Sequence, residues 1–332
     1  MHALSEKTPP TRFLLDTNIW RYIIDHEKEN SLVHLASSQN LLIQISPATV
    51  NETLRLGDIR LMKKIVRLQT KPCFTRLLPE VVLNSRDIIN EIQRLHPEWI
   101  RKEPDNLVLR KWLNFWNFKW WERVRKSPSA EAKHLRQVEK GLVSRLRNQA
   151  VQKRNSVKNS SLRHNNLPMD KWQVLVPRPL PGWERNLSVE AWRLEVLTSL
   201  TNSILSFQNG MYPLLEAIVD LSDGLLTSRK WDFFWLYEVE RSNLAGVWLE
   251  WSHEFSSAFR KTTPGTPGDT QLFNYLSQTD VLVTADKGIL SILEEVRPYS
   301  PVPLPKPFKV TASKEGVELL LNHLSKVSIS GN

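Results

Sequence analysis

Two short apolar runs, Phe13-Leu14-Leu15 and Val281-Leu282-Val283, stand near opposite ends of the chain, and each stops on a polar triplet containing an aspartate. The first is followed by Asp16-Thr17-Asn18 and the second by Thr284-Ala285-Asp286. Runs this short, apolar at consecutive positions, suit strands buried on both faces, as in parallel sheets. Helical patterns start at once behind them, from Ile19 and from Lys287. A third apolar run, residues 41–45, leads into Ser46-Pro47-Ala48-Thr49. There Ser46 is a candidate N-cap and Pro47 suits the first helical position. The helix it starts carries Glu52 on its second turn. Strands alternating with helices at both ends predict an α/β fold, a doubly wound parallel sheet flanked by helices.

Residues 11–80 and 262–326 are expected to form the two parts of this core. A helical pattern covers residues 58–68, with Ile59, Met62, Ile65 and Val66 on one face. Toward the other end, residues 263–268 read as a loop, and Asp269 is expected to begin a helix containing Leu272, Phe273 and Leu276. After the proline-rich residues 298–307, an edge strand is expected at 308–311 and an amphipathic helix at 314–324. The intervening residues 81–261 form a large insert whose pattern is mostly helical, with breaks at Pro97, Pro104, Pro128 and residues 167–183. Residues 148–166 are polar and read as a loop or tail. Twelve of the thirteen tryptophans lie in the insert, Trp20 being the exception.

Charge is distributed unevenly. Between Arg94 and Arg163 there are eighteen Lys/Arg and six Asp/Glu, a local balance of 18 − 6 = +12, against +10 for the whole chain. The remainder therefore carries 10 − 12 = −2. Concentrating the positive charge in one internal segment points to a polyanionic partner. No stretch reaches the roughly 18 uncharged apolar residues of a membrane span, and residues 1–12 hold no signal-like apolar core. The single Cys73 excludes an internal disulfide and multi-thiolate zinc sites. A cytoplasmic chain that contacts no membrane is expected.

In an open α/β sheet the carboxyl ends of the strands line the ligand crevice. Asp16 and Asp286 end strands there, while Glu52 and Asp269 sit on early turns of helices entering from the same side. Converging carboxylates repel unless a cation joins them or some take up protons. Mg²⁺ and Mn²⁺ prefer such oxygen ligands. Asp280, just before its strand, is expected to face solvent or cap the preceding helix.

The segments Phe13-Leu14-Leu15-Asp16-Thr17-Asn18, Ser46-Pro47-Ala48-Thr49-Val50-Asn51-Glu52, and Gly268-Asp269 through Val281-Leu282-Val283-Thr284-Ala285-Asp286 together resemble the PIN-domain nucleases. The resemblance covers about 65 residues at one end and about 60 at the other. The chain departs from it in the long separation of Glu52 from Asp269. The resemblance implies that Asp16, Asp269 and Asp286 bind one or two Mg²⁺ or Mn²⁺ ions, with Glu52 as a further ligand or as a base. It implies hydrolysis of phosphodiester bonds, RNA before DNA, leaving 5′-phosphate and 3′-hydroxyl ends. Thr17 and Asn18 would hold Asp16, and Thr284 would orient a water or a phosphate. Some relatives are restrained by an inhibitory protein partner.

Trp112, Trp116 and Trp120 recur every four residues and form a stripe on one helix face. A core stripe is expected; a stacking platform for bases is the alternative. Arg110, Lys111, Lys119, Arg123, Arg125 and Lys126 would then meet phosphates, as would Arg145, Arg147, Lys153 and Arg154. Phosphate-binding glycine loops, His-Glu-x-x-His and Gly-x-Ser-x-Gly are absent. Two rival expectations are a nucleic-acid-binding protein with a vestigial acidic site and a structure-specific DNA nuclease.

Overall fold

The structure, a computed structural model, describes residues 9–37, 41–139, 148, 151–152, 155, 173–175, 188–205, 210–260 and 266–329. The sheet strands are β1 (Thr11–Leu15), β2 (Leu41–Ile45), β3 (Thr75–Arg76), β6 (Val281–Thr284) and β7 (Lys306–Lys309), while β4 (Gln173–Leu175) and β5 (Ser188–Glu190) form a separate antiparallel ribbon. The five-stranded sheet has the order β3-β2-β1-β6-β7 and is parallel throughout. The ribbon departs from the helical expectation for the middle of the chain. The edge strand starts at Lys306 rather than 308.

Helix α1 (Thr17–Asp25) follows β1, and α2 (Glu29–Ala36) leads back to β2. Next come α3 (Pro47–Leu54), α4 (Ile59–Gln69) and, past β3, α5 (Glu80–Leu95). The starts are set locally. Ser46 Oγ accepts from Thr49 N, with Pro47 in the first turn, and Asp58 accepts from Arg60 N and Leu61 N. In the middle of the chain lie α6 (Asn106–Asn114), α7 (Trp120–Lys126), α8 (Pro128–Val138), α9 (Ala191–Leu205) and α10 (Ala245–Ala258). A wide turn, Phe115–Lys119, joins α6 to α7. The C-terminal part contributes α11 (Thr266–Asn274), α12 (Lys287–Val296) and α13 (Lys314–Ile329). Helix α11 begins three residues before Asp269, which therefore lies within its first turn rather than capping it.

Strand alternation divides the core in two. Phe13 and Leu15 of β1 face one cluster with Trp20, Ile43, Ile45, Ile65, Trp121, Val283 and Leu320. Leu14 and Leu282 face the other, with Ile88, Ile92, Trp192, Trp235, Trp248, Phe273 and Leu293. Residues from the middle of the chain thus cover one face of the sheet directly. Their large aromatic side chains supply much of that buried apolar area. No helix among the described residues is long and apolar enough to cross a membrane.

Candidate functional site

From β1 the chain turns to β2 and β3 on one side, and β6 and β7 lie on the other. The order reverses between β1 and β6, so the crevice lies at their carboxyl ends. Asp16 follows the last residue of β1, and its backbone N–H donates to Val283 O at 2.9 Å, tying the two strand ends together. Asp286 lies two residues beyond β6 and caps α12, its Oδ1 accepting from the N–H groups of Gly288 and Ile289.

Thr284 couples these two aspartates. Its hydroxyl donates to Asp16 Oδ2 at 2.8 Å and accepts from Asp286 N at 3.0 Å. It is fully buried, and Asp16 is 6 % exposed. Thr17 makes the corresponding link to the third acid: its Oγ1 donates to Glu52 Oε2 at 2.6 Å. Asp16 Oδ1 also accepts from Thr17 N at 2.6 Å. The expected holding role of Thr17 is thus directed at Glu52 through its hydroxyl and at Asp16 through its backbone. Asn18 is exposed on the first turn of α1.

Helix α11 brings the fourth acid. It packs against α3, and a Cβ on Gly268 would stand 3.5 Å from Glu52 Oε2. A Cβ there would make only ordinary van der Waals contact with that carboxylate. Asp269 follows directly, and burial pushes its carboxyl up to about 8, with the charges of Asp16, Asp286 and Glu52 adding to the shift. Burial likewise pushes Asp16 up to about 6; Thr284 and the Thr17 N–H pull it down, and Glu52 and Asp286 push it up. The charges of Glu52 and Asp286 thus reach both Asp16 and Asp269.

Among the described residues no three His, Cys, Asp or Glu side chains are drawn together tightly enough to hold a metal ion as they stand. Carboxylates facing one another without a cation repel, and Asp286 is engaged with its own helix. The donor set is nonetheless hard oxygen throughout, with no sulfur or imidazole, which is the chemistry of Mg²⁺ and Mn²⁺.

The basic candidates lie on helices of the middle segment. Arg110, Lys111, Lys119, Arg123, Arg125 and Lys126 are exposed along α6, the wide turn and α7. Arg123 is paired with Glu131 at 2.6 Å and lies over the Phe115 ring. Arg125 donates to the Thr70 carbonyl. Arg145, Arg147, Lys153 and Arg154 lie outside the described residues. The tryptophan stripe grades inward: Trp112 and Trp116 are half-buried, Trp120 and the adjacent Trp121 buried. Its buried end packs against the sheet core.

Sequence reasoning placed Asp280 in solvent or at a cap. Its side chain is 41 % exposed, and it receives the Arg12 guanidinium at 2.8 Å at the amino end of β6, across the sheet from the crevice. Arg76, which ends β3 and packs over Trp121, was missed; an Arg at the close of so short a strand gave no signal. No protein-family model, no curated protein and no solved structure matches this chain.

Proposed function

We propose that this chain is a divalent-metal-dependent nuclease of the PIN type, acting as an endoribonuclease. The observation that carries this reading is the set Asp16, Glu52, Asp269 and Asp286 around the strand-order reversal, where burial and the neighbouring carboxylates raise the proton affinity of Asp16 and Asp269. A cluster of this kind is stabilised by a cation or by protons. Asp16, Asp269 and Asp286, with Glu52, would hold Mg²⁺ or Mn²⁺. The bound ion would supply charge neutralisation at the phosphodiester and acidify the attacking water.

The chain's own residues do the rest. Thr284 fixes Asp16 and the Asp286 backbone in one register, so the two strand ends present their carboxylates together. The Thr17 hydroxyl holds one Glu52 oxygen, leaving the other Glu52 oxygen to accept a proton from water. The basic run from Arg110 to Lys126 supplies positive charge for a phosphate backbone.

The test is cleavage of single-stranded RNA, structured tRNA, single-stranded DNA and duplex DNA with Mn²⁺, Mg²⁺ or EDTA, beside an Asp16→Asn/Asp286→Asn double variant. Ion-dependent cutting of RNA that disappears in the folded variant supports the proposal. Preferred cutting of DNA moves the substrate class. Nucleic-acid binding without cutting under any ion rejects the enzyme in favour of a binding protein.

A further inference from the structure

Arg76 ends β3 level with Ile45, the last residue of β2, just as Gln44 stands level with Leu14 of β1. Strands repeat at about 4.8 Å, so β3 lies about 10 Å from β1 at the same carboxyl edge that presents Asp16. Arg76 therefore shares the rim of the acidic crevice. Its Cζ is 5.3 Å from the centroid of Trp121, a fully buried ring of α7. Arg125, one turn further along α7, donates to the carbonyl of Thr70, the residue that closes α4.

The neighbouring arginines have carboxylate partners. Arg123 is paired with Glu131 and Arg55 with Glu139. Among the described residues Arg76 and Arg125 form no ion pair. Burial first, and then the charge of Arg125, hold the Arg76 guanidinium below its usual pKa, while Glu122 acts weakly the other way. The indole Nε1 of Trp121 also lacks an acceptor. Donors and positive charge thus exceed acceptors at this point of the rim. Two guanidinium groups that repel each other are stabilised by an anion between them, and their forks match phosphate oxygens.

The surface beside them narrows the ligand class. Phe118 is 60 % exposed on the turn leading into α7, with Lys111, Asn114 and Lys119 exposed around it. Open aromatic rings interleaved with cations suit unpaired bases on a tracked backbone. We propose that Arg76 and Arg125 form a phosphate subsite that holds a single-stranded nucleic acid a few nucleotides from the acidic crevice. This deepens the nuclease reading and rests on it for the position of the scissile bond.

The experiment uses full-length protein carrying Asp16→Asn/Asp286→Asn, so that bound strands stay whole. Fluorescence anisotropy measures binding of a short mixed-sequence RNA, the same sequence as DNA, and a polyglutamate peptide over a salt series. Arg76→Gln and Arg125→Gln are each expected to weaken nucleic-acid binding about tenfold, near the contribution of one charge-assisted hydrogen bond. Each should flatten the log K against log salt slope by about 0.7, the loss of one phosphate contact on a single strand. Arg125→Lys should restore the slope and part of the affinity. Arg125 is exposed, so its variants test the subsite even if Arg76→Gln fails to fold. Unchanged affinity and slope in folded Arg125→Gln overturns the subsite, as does polyglutamate binding as tightly as RNA and DNA. Wild-type cutting with Arg125→Gln unaltered would sink the subsite and keep the nuclease. Arginine-dependent slopes with no cutting under Mn²⁺ or Mg²⁺ would sink the nuclease and leave a phosphate-binding rim.

Discussion

Two groups of acidic side chains among the described residues differ in their surroundings. In the crevice, Asp16 and Glu52 are met by threonine hydroxyls and a backbone amide. Where α5, α10 and α11 meet, Glu80 and Glu250 are met by neutral donors from neighbouring helices. Glu80 accepts from Gln271 at 2.8 Å and from the Tyr275 hydroxyl at 3.1 Å. Glu250 accepts from Asn84 and Asn274, each at 3.2 Å, and Asn274 also donates to Asn84. Burial raises both groups, Glu250 to about 8 with Glu254 and Glu80 adding to it. Proton affinity alone therefore does not distinguish the two sets. Their partners do: amide side chains and a phenol from neighbouring helices meet Glu80 and Glu250, whereas threonine hydroxyls and backbone N–H groups hold the crevice carboxylates.

The largest effect expected from breaking this contrast is on activity. Asp16→Asn/Asp286→Asn should reduce ion-dependent cleavage by about a thousandfold, the scale of losing preorganised electrostatic groups, while melting at or above the wild-type temperature. A double variant that still cuts would place catalysis elsewhere.

Glu80→Ala should act on stability instead. It leaves the Tyr275 hydroxyl and the Gln271 amide unanswered in the interior, at a cost of about 2–3 kcal/mol. Urea unfolding would measure this, and the surviving folded fraction should cut at the wild-type rate. A large loss of cleavage per folded molecule would show that the two acidic regions are coupled.

The pH dependence sharpens the comparison. Without divalent ions, Asp269 and Glu250 keep protons up to about pH 8 in the folded state, while unfolded carboxyls lose theirs near pH 4. Folding then retains protons that the unfolded chain has released. The stabilisation is complete below about pH 4 and is lost as pH rises through about 8. Asp269→Asn and Glu250→Gln should each flatten this decline in thermal melts between pH 5 and 9. Saturating Mn²⁺ should offset it in wild type and in Glu250→Gln, and much less in Asp269→Asn. Equal rescue in all three would separate Asp269 from the ion.

The smallest effect belongs to the exposed aromatic. Phe118→Ala should leave stability within about 0.5 kcal/mol of wild type in urea unfolding.

Asp16 and Asp286 were legible because a carboxylate stops each apolar strand, and Glu52 because Ser46 and Pro47 announce its helix. Asp269 was legible as a residue but not in its setting. Its helix starts earlier, and the approach of Gly268 to Glu52 depends on how α11 meets α3. Arg76 was hidden because one arginine at the close of a two-residue strand has no pattern. The same holds for Gln44, buried and bonded to Gln278 O and Thr279 Oγ1, which in sequence interrupts an otherwise apolar strand.

By itself the sequence determined the alternation of strand and helix at the chain ends, the parallel sheet, and the aspartates that follow β1 and β6. Local rules suffice there: consecutive apolar residues require burial on both faces, and caps fix where helices begin. Tertiary structure alone decided that β1 and β6 are neighbours, that middle-chain tryptophans pack into the cores on both sides of the sheet, and that Arg76 lies over Trp121. Those contacts join residues far apart in the chain, and only packing selects among the arrangements that the local patterns allow.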